Sequence, residues 1–508
     1  MRSDLSSSPS NLELQAQAAM LHDQATHWLR QGLPKQALQP VRQALALCPQ
    51  HLPSMHLLGH LLGQLHQWQE ARHWLELALH GGVTGVAVHL DLAHVLRGQG
   101  LHEQALAHYD LFLMQQPAHW KARYNRANTL RDLDRHAQAV DDYRQVLSLQ
   151  PGLAPAWANL GNALRDLDDL AAAQQAYQSA IAADPQLHAA RYNLGLTQLQ
   201  QGQWSEGWAH FEARWQMPDF AAQNLATPRP RWTAAAPGKS LCLWAEQGLG
   251  DEIFWSGLLE QAHTMADQVW VRIDPRLMPL LIHSFPQLHW VSKHESPQSL
   301  AFDTHLPLGS LGAVWRSRNE AFAREPRPFL RADPQRVQRL RQILSPDGLP
   351  LCGVSWQSFN PRSGRHKSLT LTDLLPLLRT PGWRFVSLQY GEVKDECQRL
   401  HRLEGVDLQT CEGIDCKDDL VGLTDLIGAC DRVVSCSNST IHLAGAMSKP
   451  SLLLLGRGRG HIWYWSNRVA DRSLWYPSVT IEQMQPQDQG WQGVVLKAAA
   501  FLRGKEGG

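Results

Sequence analysis

A small residue recurs every 34 positions through the first half of the chain, and this period constrains the fold more than any other feature. The recurring residues are Ala37, Ala71, Ala105, Ala139 and Ala173, with Gly207 at the next step. Prolines keep the same spacing at Pro117, Pro151 and Pro185. A fixed period of this length indicates a chain built from stacked copies of one supersecondary unit.

Each unit is typical of two short amphipathic helices ended by a proline turn. The clearest unit, "WANLGNALRDLDDLAAAQQAYQSAIAADP", runs from Trp157 to Pro185. A small residue at a helix crossing lets two backbones approach closely, while leucine and aromatic residues at i, i+3 and i+7 fill the seam. The pattern resembles the tetratricopeptide repeat, and about six units fit residues 18–216, although Val83 replaces the proline of the second unit.

The resemblance implies an α-solenoid whose concave face binds a peptide or a partner protein. We expect the tyrosines, tryptophans and leucines at repeat positions to form its core. No residue of the array has the pattern of a catalytic group.

Composition and the chain ends exclude several classes of protein. Lysine plus arginine equal aspartate plus glutamate at 47 each, so no bulk charge draws the chain to nucleic acid or an acidic membrane. Eight cysteines without a C-x-x-C pair predict neither a disulfide framework nor a zinc site. The N-terminus lacks an apolar signal segment, and the most apolar run, Ser451 to Gly456, is too short to span a bilayer. We therefore predict a cytoplasmic protein without a membrane span or nucleic-acid partner, with residues 1–17 disordered.

The repeat period stops after Trp215, and a second pattern begins near residue 240. Residues 217–239, which contain "ATPRPRWTAAAPGKS", lack an apolar period and predict a linker. Beyond them, short β-like runs alternate with helical segments, which predicts parallel strands covered by helices. We expect two doubly wound lobes, residues 240–330 and 331–508, the second ending in a helix. Ligands bind such sheets at the carboxyl ends of strands, so the residues that follow each strand are the functional candidates.

The first candidate corner is "WAEQGLGDEIFW", where a strand gives way to a helix. Gly248 and Gly250 permit a close approach of the backbone or a positive φ, and Asp251 opens the helix. A carboxylate in this position either stabilises the first helical turn by roughly a few tenths of a kcal/mol or acts as a general base at a cleft. Both interpretations are open from the residues alone.

Two further corners contain groups suited to an anion. In "VSWQSFNPRSGRHKSL", a strand is followed by Arg362, Arg365, His366 and Lys367, cations that would either neutralise a diphosphate or form a solvated basic loop. In "DRVVSCSNSTIHLAGAMSKP", small polar residues precede a helix. They would either cap that helix or surround a set of unsatisfied amides that binds an anion.

Together these corners resemble a known family. The stretches "WAEQGLGDEI", "VSWQSFNP…RHKSLTL", "FVSLQYG", "SCSNSTIHLAGAMSKP" and "GRGRGHIWYW…SLWYPSV" are similar, in this order, to the glycosyltransferase domain of the heptosyltransferase class, as found behind tetratricopeptide repeats in bacterial proteins. The similarity covers residues 240–479. It implies the GT-B fold of two Rossmann-like lobes, a nucleotide-sugar donor bound mainly by the C-terminal lobe, and no metal or other cofactor.

The resemblance also implies roles for single residues. The family's proposed catalytic base corresponds to Asp251, and its phosphate-binding lysine to Lys367. The donor-binding residues implied are Gly250, Lys367, Ser437, Asn438, Ser439, Thr440 and His442, with the backbone amides of 438–440 on the diphosphate. Ser437 and Ser439 replace an acid and a glycine of the family, so the identity of the sugar does not carry over. Trp463, Tyr464 and Trp465 either line the cleft or pack in the core.

Repeats ahead of a GT-B domain also resemble the plan of the protein O-linked N-acetylglucosamine transferases, whose repeats present a polypeptide. The sequence thus favours a metal-independent glycosyltransferase that takes a nucleotide sugar and modifies an acceptor, which the analogy makes a protein. The alternative is a non-catalytic repeat scaffold with a degenerate GT-B domain that binds a protein partner.

Overall fold

The computed structural model describes residues 11–322, 325, 327–361, 363–485, 487–488 and 490–504. Arg362 and residues 1–10 lie outside these ranges. The chain forms two compact units. The first comprises residues up to Leu164 together with Ser179–Asp184, and the second comprises Arg165–Gln178 and the chain from Pro185 onward. No helix in the described ranges combines the length and the apolar character needed to cross a bilayer.

The first unit is a series of helical hairpins, with α9 and α10 shared between the two units. Its helices are α1 (Asn11–Arg30), α2 (Pro34–Leu47), α3 (Leu52–Gln64), α4 (Trp68–His80), α5 (Ala87–Gly98), α6 (His102–Gln115), α7 (Trp120–Asp132), α8 (His136–Leu149), α9 (Ala154–Asp166) and α10 (Leu170–Ala183). The periodic alanines Ala37, Ala71, Ala105 and Ala139 are fully buried. Their burial agrees with the role predicted for a small residue at each helix crossing.

Helix α1 begins inside the stretch that the sequence predicted to be disordered. Residues 11–17 are helical, because "NLELQAQ" consists mostly of good helix formers. The expectation for residues 1–10 concerns a stretch that the structure does not describe.

The second unit starts with the last repeat hairpin and continues into a four-stranded sheet. The helices are α11 (His188–Gln200), α12 (Trp204–Phe211), α13 (Pro218–Ala221), α14 (Leu249–Ser256), α15 (Met278–Ser284) and α16 (Leu311–Trp315). The strands are β1 (Ser240–Trp244), β2 (Gln268–Ile273), β3 (His289–Ser292) and β4 (Thr304–Pro307). They are all parallel, in the order β3-β2-β1-β4.

A seven-stranded sheet follows in the same unit. Its strands are β5 (Leu351–Ser355), β6 (Arg384–Ser387), β7 (Arg432–Cys436), β8 (Ser451–Leu455), β9 (Arg468–Val469), β10 (Arg472–Ser473) and β11 (Val479–Gln483). The order is β6-β5-β7-β8-β11-β10-β9, and only the pairs made by β10 are antiparallel. The helices are α17 (Pro334–Leu344), α18 (Leu375–Leu378), α19 (Lys394–Glu404), α20 (Leu420–Ala429), α21 (Ser439–Ala446) and α22 (Gln492–Leu502). Strands β5 and β8 are buried along their whole length, as in parallel sheets covered on both faces.

The last repeat hairpin packs on the α/β region and belongs to the second unit. The predicted boundary at residue 216 instead placed this hairpin with the other repeats. Trp204 Nε1 donates to Asn319 Oδ1 at 2.8 Å, and Trp208 Nε1 donates to the Arg316 carbonyl at 2.8 Å. Asn467 Nδ2 donates to the Leu199 carbonyl at 2.9 Å. The physical reason is that this hairpin has no following repeat, so the α/β region covers its apolar face.

The segment predicted as a linker is also part of the second unit. Leu225 is buried in a cluster with Cys242 and Trp244, and the Trp232 amide donates to the His305 carbonyl at 2.8 Å. Just before this segment, the guanidinium of Arg214 makes two bonds of 2.9 Å to the carboxylate of Glu246, and both side chains are buried. Residues 217–239 are therefore anchored to the first sheet.

Candidate functional site

Segments that follow several strands of the second unit converge on one cleft of about 290 Å³. The cleft is lined by these residues predicted from sequence: Gly250, Asp251, Lys367, Ser437, Asn438, Ser439 and His442. They come from three segments that are far apart in the chain. Thr440 is the exception, because it is fully buried and its hydroxyl lies 3.4 Å from Ser355 Oγ and from the Leu388 carbonyl.

Asp251 lies in the first turn of α14, where it both caps the helix and faces the cleft. Its Oδ2 accepts a hydrogen bond from the Gly248 amide at 3.3 Å. Burial raises the pKa of this carboxyl to about 6, against the opposing effects of the Gly248 amide and Lys367. A carboxylate with a pKa near neutrality is suited to accept a proton. The capping interpretation and the cleft interpretation of this residue are therefore compatible.

The neighbouring acid, Glu252, has a structural role instead. It is buried, accepts from Lys293 Nζ at 2.8 Å and accepts from the Asp274 amide at 2.8 Å. These contacts tie α14 to the end of β2. Of the two acids in the "GDE" corner, only Asp251 lines the cleft.

Lys367 places an ammonium group in the cleft with little exposure to solvent. Its side chain is only 7 % exposed, and within the described ranges its Nζ makes no hydrogen bond or ion pair. Burial lowers the pKa of Lys367, and the charge of Asp251 opposes that shift. A buried cation without a fixed partner is costly unless an anion joins it.

The turn that carries Lys367 rests on two glycines that follow β8. A Cβ on Gly456 would lie 2.6 Å from the His366 carbonyl oxygen, and a Cβ on Gly460 would contact the same atom. Only glycine fits at such an approach. The "GRGRG" stretch thus sets the position of the basic turn.

A buried hydrogen-bond network joins the ends of β5, β6 and β7 beneath the cleft. Gln389 Oε1 accepts from Ser355 Oγ at 3.0 Å and from the amides of Trp356 and Gln357 at 2.8 Å each. Asn438 Nδ2 donates to Ser355 Oγ at 2.7 Å and to the Gln357 carbonyl at 3.1 Å. This satisfied network fixes the backbone that lines the cleft.

The amides at the start of α21 are less available than the sequence predicted. The Asn438 amide donates to the Cys436 carbonyl at 2.9 Å, and the Thr440 amide donates to Asn438 Oδ1 at 3.0 Å. Two of the three predicted anion-binding amides are therefore already bonded, that of Thr440 because Asn438 acts as the helix N-cap and that of Asn438 through a backbone turn. The amide of Ser439 and the hydroxyls beside it are what this corner offers to a ligand.

His442 is a neutral, buried residue that shapes the floor of the cleft. Its Nδ1 lies 3.3 Å from Tyr476 Oη, and its Nε2 lies 3.2 Å from Tyr464 Oη. Burial lowers the pKa of His442 to about 3, so one ring nitrogen donates and the other accepts. A Cβ on Gly250 would lie 3.3 Å from His442 Cδ2. The close approach of α14 to α21 therefore requires a very small residue at position 250.

The aromatic residues Trp463, Tyr464 and Trp465 follow β8, and the sequence left open whether they line the cleft or pack in the core. Trp463 and Trp465 are buried, and Trp465 Nε1 donates to Ser437 Oγ at 3.1 Å. Tyr464 stacks on Phe254 with ring centroids 4.1 Å apart, yet also lines the cleft. The core interpretation holds for the two tryptophans.

Sequence reasoning missed several lining residues, among them Arg276 and Tyr390. Arg276 follows β2 and reaches across the cleft, donating to the Lys417 carbonyl and to Asp418 Oδ1 at 3.1 Å each. Tyr390 follows β6, and its hydroxyl accepts from the Phe359 amide at 3.2 Å. Both stand directly after strands, so the strand-end rule, applied to every strand, would have found them.

Among the residues that the structure describes, no group of three or more histidine, cysteine or acidic side chains is arranged to hold a metal ion. The described cysteines are free thiols.

Family profiles match two segments of the chain. A profile described as "Tetratricopeptide repeat" covers residues 90–154, and one described as "TPR repeat" covers residues 161–202. These segments are tetratricopeptide repeats. A curated relative, Protein FlbA of Caulobacter vibrioides (strain ATCC 19089 / CIP 103742 / CB 15), is 31% identical over 324 residues, which is 60% of this chain and 53% of the relative. The chain thus spans about half the length of that relative, and the matched stretch is longer than the repeats alone.

Several solved structures are similar to part of the chain. YrrB, titled "a TPR protein with an unusual peptide-binding site", is 20% identical, with a TM-score of 0.32, and the match covers 34% of this chain and 89% of YrrB. PilF of Pseudomonas aeruginosa is 14% identical, with a TM-score of 0.35, and the match covers 42% of this chain and 99% of PilF.

Proposed function

We propose that the chain is a metal-independent glycosyltransferase of the GT-B fold, acting in the cytoplasm on an acceptor held near the repeats. The observation that carries the proposal is the pairing in one cleft of a half-buried carboxyl, Asp251, with a buried ammonium, Lys367. The pKa of Asp251 is raised to about 6, and Lys367 has no fixed partner within the described ranges. Such a pair supplies a base and an anion-binding charge to the same substrate complex.

The two sheets support the GT-B assignment. Each has parallel strands with intervening helices, and the cleft lies beyond the carboxyl ends of β1, β5 and β7. Parallel α/β sheets bind nucleotides at this position. Arg276 bridges the two sides of the cleft through its bond to Asp418.

The reaction would be a displacement at the anomeric carbon of the donor sugar. The acceptor hydroxyl oxygen forms a bond to that carbon while its proton passes to the Asp251 carboxylate. The bond between the anomeric carbon and the diphosphate oxygen breaks, and its electron pair stays on the diphosphate. Lys367 stabilises that developing charge in a site of low solvent exposure. Ser439 and Ser437 would contact the same leaving group or the sugar.

A second candidate function is a non-catalytic scaffold that retains a degenerate domain. The observation in its favour is that Ser437, which replaces the family acid, accepts a hydrogen bond from Trp465. Two of the three corner amides are also engaged. In this function the repeats bind a protein partner, as the matched repeat family supports, and the cleft performs no transfer.

The test is a thermal-shift panel of UDP, GDP, ADP, CMP and dTDP on the full chain, with Lys367→Ala as the probe variant. Lys394→Ala is the matched control, because Lys394 is an exposed lysine of the same unit that pairs with Glu412 outside the cleft. A nucleotide at about one hundred times its Kd should add roughly 2.7 kcal/mol to the unfolding free energy. A shift with one nucleotide that Lys367→Ala loses and Lys394→Ala keeps supports the transferase. The absence of any shift in the unsubstituted protein would favour the scaffold.

A further inference from the structure

Two buried tyrosine hydroxyls lie at the two nitrogens of the His442 ring. Tyr464 Oη is 3.2 Å from His442 Nε2, and Tyr476 Oη is 3.3 Å from His442 Nδ1. Each of the three residues is 4 % exposed or less. Within the described ranges neither hydroxyl makes another hydrogen bond. The imidazole is therefore the one fixed partner of both hydroxyls in this part of the chain.

This triad contains one more O–H group than it can satisfy by itself. A neutral imidazole has one N–H donor and one accepting nitrogen, and each tyrosine brings one O–H donor. One hydroxyl therefore donates to the accepting nitrogen, and the other accepts from the ring N–H. The accepting hydroxyl keeps an O–H proton that has no acceptor inside the triad, and a buried donor without an acceptor is destabilising. That proton should be directed at an acceptor outside the triad.

The surroundings favour Tyr464 as the residue with the outward proton. Tyr464 lines the cleft and also a second cavity of about 190 Å³, and Asp251 lines both. Tyr476 lines neither of the two cavities. Burial raises the pKa of Tyr464 far above its ordinary value, and the charge of Asp251 adds to that shift. Because a hydroxyl dipole orients in the field of a nearby carboxylate, the outward proton belongs on Tyr464 when Asp251 is ionised.

Packing holds the Tyr464 ring in one place. The ring stacks on Phe254 with centroids 4.1 Å apart, and it lies edge-on to Trp463 and Trp465 at 5.4 and 5.2 Å. A hydroxyl on an immobilised ring loses little conformational entropy when it binds a ligand. Tyr464 and Asp251 thus offer one hydrogen-bond donor and one acceptor to whatever lies between them.

We propose that Tyr464 and Asp251 together hold the hydroxyl of the acceptor, with Tyr464 donating to its oxygen and Asp251 accepting its proton. A hydroxyl oxygen has two lone pairs, so one can accept from Tyr464 while the other attacks the anomeric carbon. In this arrangement His442 carries its ring proton on Nε2, and Tyr476 donates to Nδ1 from the far side of the ring. The inference rests on the proposed glycosyl transfer and adds a substrate-binding residue to it.

The tautomer of His442 tests the assignment without any turnover. The full chain is labelled with ¹⁵N-histidine, and NMR identifies the His442 ring signals by their loss in His442→Gln. We expect the Nε2–H tautomer at pH 8, where Asp251 is ionised. The Nδ1–H tautomer would direct the outward proton to Tyr476 and would overturn the assignment, whether or not the protein transfers a sugar.

Hydrolysis of a nucleotide sugar is the second measurement, because water then serves as the acceptor probe. Its oxygen bonds to the anomeric carbon, its proton passes to Asp251, and the diphosphate leaves with the electron pair. The donor is any nucleotide sugar whose nucleotide raises the melting temperature, and the released nucleoside diphosphate is measured. The variants are Tyr464→Phe, Tyr476→Phe and Tyr109→Phe. Tyr109→Phe is the matched control, because it removes a buried hydroxyl that has no hydrogen-bond partner in the first unit.

We expect Tyr464→Phe to lower kcat for hydrolysis about tenfold, the loss of one hydrogen bond to the substrate, while the nucleotide-induced thermal shift is kept. Tyr476→Phe should lose no more than about twofold, since Tyr476 lines neither cavity. Tyr109→Phe should match the unsubstituted protein.

A purely structural role of the triad predicts equal losses for its two tyrosine variants. Equal losses, or full hydrolysis by Tyr464→Phe, would overturn the assignment and leave nucleotide binding intact. If no nucleotide shifts the melting temperature, or if none of the corresponding nucleotide sugars is cleaved, the proposed function itself fails and the role of Tyr464 fails with it.

Discussion

Replacing Asp251 with asparagine should make the second unit more stable at pH 8 while abolishing the proposed glycosyl transfer. The pKa of the carboxyl rises from 3.8 to about 6 in the folded protein. The folded state therefore holds the proton more tightly than the unfolded state does, so stability falls as the pH rises from about 4 to about 6 and stays lower above that. Each pKa unit corresponds to about 1.36 kcal/mol, so the full penalty is about 3 kcal/mol. Asparagine removes that penalty and keeps an oxygen to accept from the Gly248 amide.

The stabilisation should depend on pH in a defined direction. It is fully developed at pH 8, where Asp251 is ionised in both states, and it becomes small near pH 4, where the folded carboxyl is protonated and the unfolded carboxyl is about half protonated. Since the group is half-buried, solvent screening makes about 3 kcal/mol an upper value. The second unit has about 340 residues, and an unfolding entropy of about 2.1 cal/mol/K per residue then gives a rise in Tm of roughly 1–2 °C for each kcal/mol. Tryptophan fluorescence during thermal unfolding at pH 4, 6 and 8 measures the effect.

Asp303→Asn is the matched control. Asp303 is exposed, and hydrogen bonds from the Lys239 and Ser240 amides lower the pKa of its carboxyl. The same substitution there should destabilise the unit at pH 8, which is the opposite sign. A loss of stability in Asp251→Asn at pH 8, or a gain that is equal at pH 4 and pH 8, would refute the reasoning that burial destabilises the ionised form of this carboxyl.

Four further predictions follow from the same structure. Transfer by the unsubstituted protein should fall as the pH drops through about 6, because protonated Asp251 cannot accept the acceptor proton, and a pH–rate profile measures the midpoint. Glu246→Ala should lower the unfolding free energy by about 3–5 kcal/mol in urea titrations, because it leaves the buried Arg214 charge unpaired. Gln389→Leu should cost roughly 1–3 kcal/mol for each of the two backbone amides left without an acceptor, and it should weaken nucleotide binding as well. In the first unit, burial lowers the pKa of several histidines below 6.5, so circular dichroism should show a lower Tm at pH 5.5 than at pH 7.5. His60, whose pKa is raised by Asp91, opposes part of that loss.

Local patterns were enough to predict the repeats and the strand-end corners. The 34-residue period identified buried alanines such as Ala71, because a helix crossing tolerates only a small side chain at that point. Likewise, Asp251 and Lys367 stand beside strand ends in the sequence, and parallel strands bring their carboxyl ends to one edge of a sheet. Predictions that depend on spacing within one segment were therefore accessible.

Features that depend on contacts between distant segments were not accessible. The α/β region covers the last hairpin through pairs such as Trp204 and Asn319, which no local pattern links. Whether the Thr440 amide at the start of α21 is free to bind an anion depends on the orientation of the Asn438 side chain. An asparagine at this position can either cap the helix, as it does here, or leave the amide without a partner. A cavity of about 190 Å³ beside Asp251 is lined in part by Arg165, Gln200 and Gln247, which look like ordinary surface groups in the sequence.

The buried Arg214–Glu246 pair determines where this chain can be cut or recombined. A fragment that begins at Ser240 keeps Glu246 but loses its guanidinium, and it also uncovers the surface on which Trp204 and Trp208 lie. Such a fragment should be insoluble or unfolded. A viable fragment of the second unit must start ahead of Pro185 and carry the last hairpin with it. Exchange of repeat arrays between related proteins would therefore succeed only upstream of that hairpin, so the number of repeats can change while the last hairpin is inherited with the α/β region.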